Sequence, residues 1–156
     1  RVRRSPQSRR PACGWRHQFV MKSELILEFQ FTAAHFYKNE NWDDKKNREV
    51  FGKCYDPYGH GHNYQLFIKI HKSSETPIVQ IRDHIESKLS VLDHHHLNHQ
   101  INYFKENIPT TENMTLFLST HLLATHLYEI IEIRLMEEPT IGAVWIRPAT
   151  SSSAKI

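Results

Sequence analysis

The sequence predicts an α+β fold, an antiparallel sheet of four strands in the order ββααββ with both helices on one face. Alternating apolar positions mark two strands near the start and two near the end, and two amphipathic stretches at helical spacing lie between them. A length of 156 residues with 39% hydrophobic positions suffices for one buried core.

From Glu24 to Phe31 the side chains alternate. Leu25, Leu27, Phe29 and Phe31 share one face and Glu24, Glu28 and Gln30 the other, the pattern of a half-buried strand. Continued in extended form, the same backbone carries Ala33 and His35 on the apolar side. Lys38–Glu49 is polar and reads as an exposed loop. Alternation returns with His60, His62, Tyr64, Leu66, Ile68 and Ile70 on one face of a second strand. Lys72–Pro77 is turn material, and Pro77 suits the first turn of a helix. Ile78, Ile81, Ile85, Leu89 and Leu92 then predict that helix over Pro77–Leu92. Asp93–Pro109, rich in His and Asn, reads as a loop. Thr110 or Thr111 can cap a second helix whose buried stripe is Met114, Phe117, Leu118, His121 and Leu122. Ile131, Ile133 and Leu135 alternate in a third strand that brings Glu137 to the apolar face, and Pro139 and Gly142 mark the turn into a fourth, Ile141–Arg147. A sheet covered on one face leaves its other face and its edges open, and self-association is one way to cover them.

The formal net charge of +3 is concentrated at the start of the chain. Residues 1–20 hold six Arg and no acid, and the remainder carries 14 Lys+Arg against 17 Asp+Glu. A nucleic-acid partner would depend on this tail alone. Pro6 and Pro11 interrupt it and no apolar period is visible. The expectation is a disordered basic tail over 1–20 upstream of a true start at Met21, a domain over 21–150 and a frayed tail over 151–156. Cys13 lies in the basic tail and receives no role. Two cysteines cannot build a disulfide framework, so free thiols in a reducing compartment, the cytoplasm, are expected. A mean hydropathy of −0.58 and the lack of an apolar run near ~18 residues exclude an apolar membrane-spanning helix.

Twelve histidines put metal binding and acid–base chemistry first among the functional readings. His60 and His62, two apart on a strand, project from the same face, and Gly59 and Gly61 leave room around them. With His35 near the end of the neighbouring strand, three neutral imidazoles would leave one open position on a tetrahedral Zn²⁺, the pattern of a catalytic site. The blander reading of the pair is polar residues at a strand start. Cys54 lies six residues before His60. Beside a cation and Lys53 its thiol would be depressed in pKa and reactive as a thiolate; a small buried hydrophobe and a metal ligand are the other readings. Asp93 next to His94 can hold the imidazole tautomer for general acid–base work, against a solvated cluster with His95, His96 and His99. Glu112 reads first as a partner of the helix dipole. Glu137, inward at a strand end, needs donors such as the paired N–H groups of an amidine-like ligand, unless that strand end, with Glu138 beside it, is wet.

In order and spacing, four segments resemble the 6-pyruvoyl-tetrahydropterin synthases and the related 6-carboxytetrahydropterin synthases. They are Phe31-Thr32-Ala33-Ala34-His35, the Cys54–Tyr64 run ending Gly-His-Gly-His-Asn-Tyr, Leu92-Asp93-His94 and Thr110-Thr111-Glu112-Asn113. The likeness extends from Glu24 to about Ile146, and the Cys-x5-His-Gly-His run is its specific part. It implies the tunnelling fold, in which ββααββ subunits join into barrel-like trimers that stack into hexamers. It implies zinc held by His35, His60 and His62. Cys54 would be the catalytic thiolate, with Asp93 and His94 as acid–base partners contributed by a neighbouring subunit. Glu137 would anchor the 2-amino and ring N–H groups of a pterin, with Glu112 assisting, and the implied substrate is 7,8-dihydroneopterin triphosphate. The five residues Tyr55–Gly59 between Cys54 and His60 are similar to the pyruvoyl type, where the carboxylate type of the queuosine and 7-deazaguanine pathway has three. Leu92–Asn98 and Ala33-Ala34-His35 look more like the carboxylate type. The chain departs from the family in its short Glu75–Gln80 segment and in Glu138, where a Thr commonly follows the anchoring glutamate. A zinc- or pterin-binding protein without turnover would need only His35, His60, His62 and Glu137. The presence of Cys54, Asp93 and His94 as well points to an enzyme, and the resemblance implies a carbon–oxygen lyase.

Overall fold

Strand β1 runs over Leu25–His35, so the alternation that starts at Leu25 continues unbroken to the histidine. A computed structural model describes residues 24–72, 75–122 and 126–148. The tail 1–20 with Cys13, the expected start at Met21 and the tail 151–156 lie outside the described residues. After β1 come α1 (Asp44–Phe51), a short 3-10 turn (Gly52–Cys54), β2 (His60–Lys72), α2 (Ile78–Leu89), β3 (His95–His96), α3 (Leu97–Gln100), α4 (Tyr103–Glu106), α5 (Thr111–Leu122), β4 (Tyr128–Glu138) and β5 (Ile141–Ile146). The strands lie in the order β3-β1-β2-β4-β5. Four of them pair antiparallel, which is the expected sheet. The fifth departs from the expectation, since His95–His96 of the predicted loop pair parallel with Ala33–Ala34 on the outer edge of β1.

One face of this sheet carries the core. Phe29 and Phe31 of β1, Leu66 and Ile68 of β2, and Ile133 and Leu135 of β4 meet Ile81 and Ile85 of α2 and Met114 and Leu118 of α5, all buried. β4 starts earlier than the alternation predicts because a bulge interrupts it. Lys69 pairs with Glu132 and Ile70 with Ile130, which leaves Ile131 unopposed. The extra residue resets the parity, so that Tyr128 and Ile130 before it and Ile133 and Leu135 after it all face the core. A second register shift, on the β5 side between Met136 and Glu138, falls at Glu137.

Thr110 caps α5 as expected, its hydroxyl accepting from the Asn113 N–H. The buried arc of the helix is rotated from the predicted stripe. Thr111, Thr115 and Ser119 are buried, whereas Phe117 and His121 are half-buried and stack on each other at 5.1 Å. Thr115 Oγ1 donates to Glu112 O and Ser119 Oγ to Leu116 O, so these small side chains are buried with their hydroxyls satisfied by their own helix. No helix among the described residues is long and apolar enough to cross a membrane.

Lys38–Glu49 is not an exposed loop, because its second half is the start of α1. Asp43 caps that helix by accepting from Lys46 N at 2.8 Å. Asn47 is fully buried. Its Oδ1 accepts from Asn39 N at 2.8 Å, and its Nδ2 lies 3.1, 3.1 and 3.0 Å from the carbonyls of Asn39, Trp42 and Asp43. A polar segment is thus ordered by one amide rather than by an apolar stripe. Asn47→Ala leaves those buried groups unpaired and should cost about 1–3 kcal/mol of stability, read as a lower urea midpoint at unchanged m-value.

Candidate metal centre

The inner face of β1 ends in His35 and that of β2 begins with His60 and His62. The antiparallel register sets His35 opposite His60 and Ala33 opposite His62, so period-two geometry alone brings three imidazoles to one end of the core. Their ring centroids lie 4.7, 5.1 and 4.9 Å apart, and one nitrogen from each falls within 4.8 Å of the others. His35 is completely buried. Burial first, and then the neighbouring His60 and His62, push its pKa down to about 3, against a hydrogen bond with the Pro109 backbone. Burial also lowers His60, followed by His62, while Glu137 and Asp56 oppose.

His35 is therefore neutral near pH 7 and offers a lone pair. Its Nδ1 lies 3.2 Å from the Tyr64 hydroxyl, and its Nε2 lies 3.2 Å from His60 Nε2. Burial, then Glu137 and Tyr37, hold the Tyr64 phenol above its ordinary value, so it stays a neutral partner. His62 Nε2 is buried and makes no hydrogen bond, its near polar neighbour being Glu137 Oε1 at 3.2 Å. Imidazole nitrogens this close together, with a carboxylate oxygen 3.2–3.3 Å from two of them, are favourable around a shared cation. With Nε2 on a metal, the His35 Nδ1–H would donate to Tyr64 and fix the tautomer. The three residues fit a metal ion.

Glu137 enters the same cluster. Its Oε1 is 3.3 Å from His35 Nε2 and 3.2 Å from His62 Nε2, while its Oε2 accepts from Thr111 Oγ1 at 2.7 Å at the N-terminus of α5. Because His35 is neutral, its contact with Glu137 is not an ion pair. The carboxylate is inward, as the alternation requires, and a helix N-terminus favours its charge. A cleft of about 420 Å³ at this end of the sheet is lined mostly by residues of the uncovered face, Gln30, Gly61, Asn63, Gln65, Met136 and Glu138.

Cys54 closes the 3-10 turn after α1, half-buried and unbridged, and its carbonyl accepts from Tyr37 N at 2.8 Å. Burial and then the Glu137 carboxylate push its thiol up, and Lys53, named together with a cation as the expected cause of a depression, is not among the influences on it. Lowering it takes the charge of a bound cation. Tyr37 is the site residue that the sequence reading missed. Its ring packs 4.9 Å from that of His35, and burial, then Glu137, Cys54 and Glu112, hold its phenol above the usual value. It thus lies within electrostatic reach of three of the predicted site residues, and the period that turns His35 inward extends to it. Glu112 itself is exposed in the first turn of α5.

Asp93 and His94 lie elsewhere in the chain, on the outer edge of β1. His94 Nδ1 is 2.9 Å from Asp93 Oδ1, which also accepts from Thr32 N at 2.8 Å. The Thr32 N–H first, then His94, hold the Asp93 carboxyl below its ordinary range, against partial burial. His94 adopts a left-handed φ of 60°, its side chain is 79% exposed, and its N–H donates to Thr32 O. No hydrogen bond or ion pair among the described residues joins this pair to Cys54 or to the three imidazoles.

Of the two glycines beside the histidines, Gly59 is the constrained one. Its φ is +72°, and a Cβ would stand 2.8 Å from His96 Nε2 and 2.9 Å from His35 O. At Gly61 the nearest atom would be Ala33 O at 3.6 Å, an ordinary contact.

Fold and site together define an α+β protein with three imidazoles positioned to bind a metal ion. A family model described as 6-pyruvoyl tetrahydropterin synthase matches residues 24–147. The chain belongs to the 6-pyruvoyl tetrahydropterin synthase family, a family of enzymes. It is 32% identical over 95 residues to the 6-pyruvoyl tetrahydrobiopterin synthase of Poecilia reticulata, a match covering 56% of this chain and 65% of that protein. Against the human protein of the same name it is 27% identical over 108 residues, 65% of this chain and 74% of the relative. The solved 6-pyruvoyl tetrahydropterin synthase of Caenorhabditis elegans superposes with a TM-score of 0.73 at 23% identity, covering 81% of this chain and 96% of that one, and shares the fold.

Gly59→Ala should cost about 1–3 kcal/mol in backbone strain and lower metal content by displacing His35, whereas Gly61→Ala should keep both. Metal analysis and urea unfolding of the two variants check this, and equal behaviour would contradict it.

Proposed function

We propose that this chain converts 7,8-dihydroneopterin triphosphate to 6-pyruvoyl-tetrahydropterin with loss of triphosphate, as a zinc-dependent carbon–oxygen lyase of the cytoplasm. The observation that carries the proposal is the convergence of His35, His60 and His62 beside Cys54, Tyr37 and Glu137 in a chain whose relatives bear that enzyme's name. His35, His60 and His62 hold the zinc. When bound, it supplies Lewis acidity to the hydroxyls of the substrate side chain and so to the C–H bonds beside them. Glu137, oriented by Thr111, accepts the paired N–H groups of the pterin, and Glu112 assists from the first turn of α5. Cys54 as a thiolate moves protons along the side chain, and Asp93 and His94 act with it as the acid–base pair.

Asp93 and His94 serve the site of a neighbouring copy in this proposal. Two features support self-association into a trimer or hexamer. The pair is exposed on an edge of its own chain, and the uncovered face of the sheet exposes Ile26, Val144 and Ile146. A second reading, the 6-carboxytetrahydropterin synthase of the queuosine pathway, has the likeness of Leu92–Asn98 in its favour; it shares the substrate and releases acetaldehyde.

Mass analysis of products formed from 7,8-dihydroneopterin triphosphate, with and without a zinc chelator, separates the readings. A chelator-sensitive pyruvoyl product is expected. A 6-carboxy product with acetaldehyde would establish the second reading, and no conversion by folded, zinc-loaded protein would leave a binding protein. Cys54→Ala should keep its zinc and lose roughly 10²–10⁴-fold in kcat. Mixing Cys54→Ala with His94→Ala subunits should restore part of the activity that each lacks alone, and failure to do so would refute the shared site.

A further inference from the structure

The segment Asp93–Asn98, read from the sequence as a His- and Asn-rich loop, is stitched along the outer edge of β1. On that edge the even-numbered residues present their backbone groups, while the odd-numbered side chains face the core. Thr32 N donates to Asp93 Oδ1 and Thr32 O accepts from His94 N at 2.8 and 2.6 Å. Ala34 pairs with His96 through the parallel β3. The last step is made by a side chain: Phe36 N donates to Asn98 Oδ1 at 2.9 Å, and Asn98 Nδ2 donates to Phe36 O at 3.0 Å. The Asn98 amide thus does for Phe36 what another strand residue would do, filling both backbone groups with one planar donor–acceptor pair.

Phe36 sits between two residues of the metal centre. Before it is His35, the last β1 residue paired with β2, and after it is Tyr37, held on the other edge by Cys54 O. Beyond His35 the β1–β2 ladder has ended, so the backbone that follows the buried imidazole is fixed at Phe36 by Asn98 on one edge and at Tyr37 by Cys54 on the other. Leu97, completely buried next to Asn98, anchors the amide in turn.

We propose that Asn98 is a positioning residue for the metal centre, its amide holding the Phe36 peptide so that His35 and Tyr37 keep their inward aim. The stitch also joins the metal ligand His35 mechanically to the Asp93–His94 pair at its other end. This deepens the function proposed above and needs only its metal centre, not its substrate.

The test is zinc affinity of the full-length chain by competition with a chromophoric chelator. Asn98→Ala should weaken zinc by roughly 10–100-fold, the range found for partners that orient a ligand. Asn98→Asp keeps the acceptor for the Phe36 N–H and loses the donor, so its loss should be smaller. Asn107→Ala removes an amide bond to Tyr103 O in the same region without touching β1, and should leave zinc affinity unchanged. Circular dichroism of each variant reports whether it is folded at the assay temperature. Folded Asn98→Ala with the affinity of the unaltered chain overturns the proposal, as does an equal loss in Asn107→Ala. The expected affinity pattern in a protein that converts no pterin substrate would uphold the positioning role and reject the proposed activity.

Discussion

The pleat of β1 is the constraint on which the site rests. Odd-numbered side chains from Leu27 to His35 face the core, and the backbone groups between them reach alternately to the two edges. The strand therefore carries three different loads at its end. It delivers a buried imidazole inward, pairs with β2 on one side so that His60 meets that imidazole, and accepts the Asp93–Asn98 segment on the other. A shift of one residue would turn His35 to the uncovered face and break all three at once.

Burying that many polar groups at the end of an apolar core is costly unless each has a partner. The chain answers residue by residue. Tyr64 takes the far nitrogen of His35, Thr111 takes one oxygen of Glu137, and the start of α5 favours its charge. His62 Nε2, which makes no hydrogen bond and lies 3.2 Å from Glu137 Oε1, is grouped with the nitrogens of His35 and His60 where a shared cation would fit. The core and the site are thus parts of one packing problem. The Ile131 bulge resets the parity of β4 so that its second half, ending in Glu137, shares the inner face with Ile130.

Much of this was legible because period two and period 3.6 are written directly in the side chains. β1, β2, α2, α5 and the inward aim of His35, His60, His62 and Glu137 follow from alternation or helical spacing. The features that escaped depend on single polar residues or on backbone. α1 is held by Asp43 and the buried amide of Asn47, and polarity by itself reads as loop. β3 exists because β1 has a free edge, and nothing in His95–His96 announces a strand. The bulge at Ile131 hides in a run of apolar residues that fits either parity. Tyr37 was within reach of the alternation and was lost because the polar stretch after it drew the reading toward a loop. The depression expected of the Cys54 thiol beside a cation and Lys53 is opposed by burial and by the Glu137 carboxylate, a tertiary neighbour.

The spacing between Cys54 and His60 has a structural meaning that the sequence alone did not show. Were the β1–β2 ladder to continue past the His35–His60 pair, Tyr37 would face Tyr58. Instead Tyr37 N–H donates to Cys54 O, four positions earlier, and the intervening residues loop out. The loop is closed by Asp56, whose Oδ1 accepts from Tyr58 N and whose carbonyl accepts from Gly59 N, and by the left-handed φ of Gly59. Both ends of the loop are therefore tethered to β1 and the residues that follow it, the Cys54 carbonyl to Tyr37 N and the His60 backbone to His35. A spacer of three residues between the same tethers would shorten only the part that loops out and would leave the cysteine opposite Tyr37. Spacer length consequently bears on the rim of the site, where Tyr58 now stands 91% exposed, rather than on the place of the thiol.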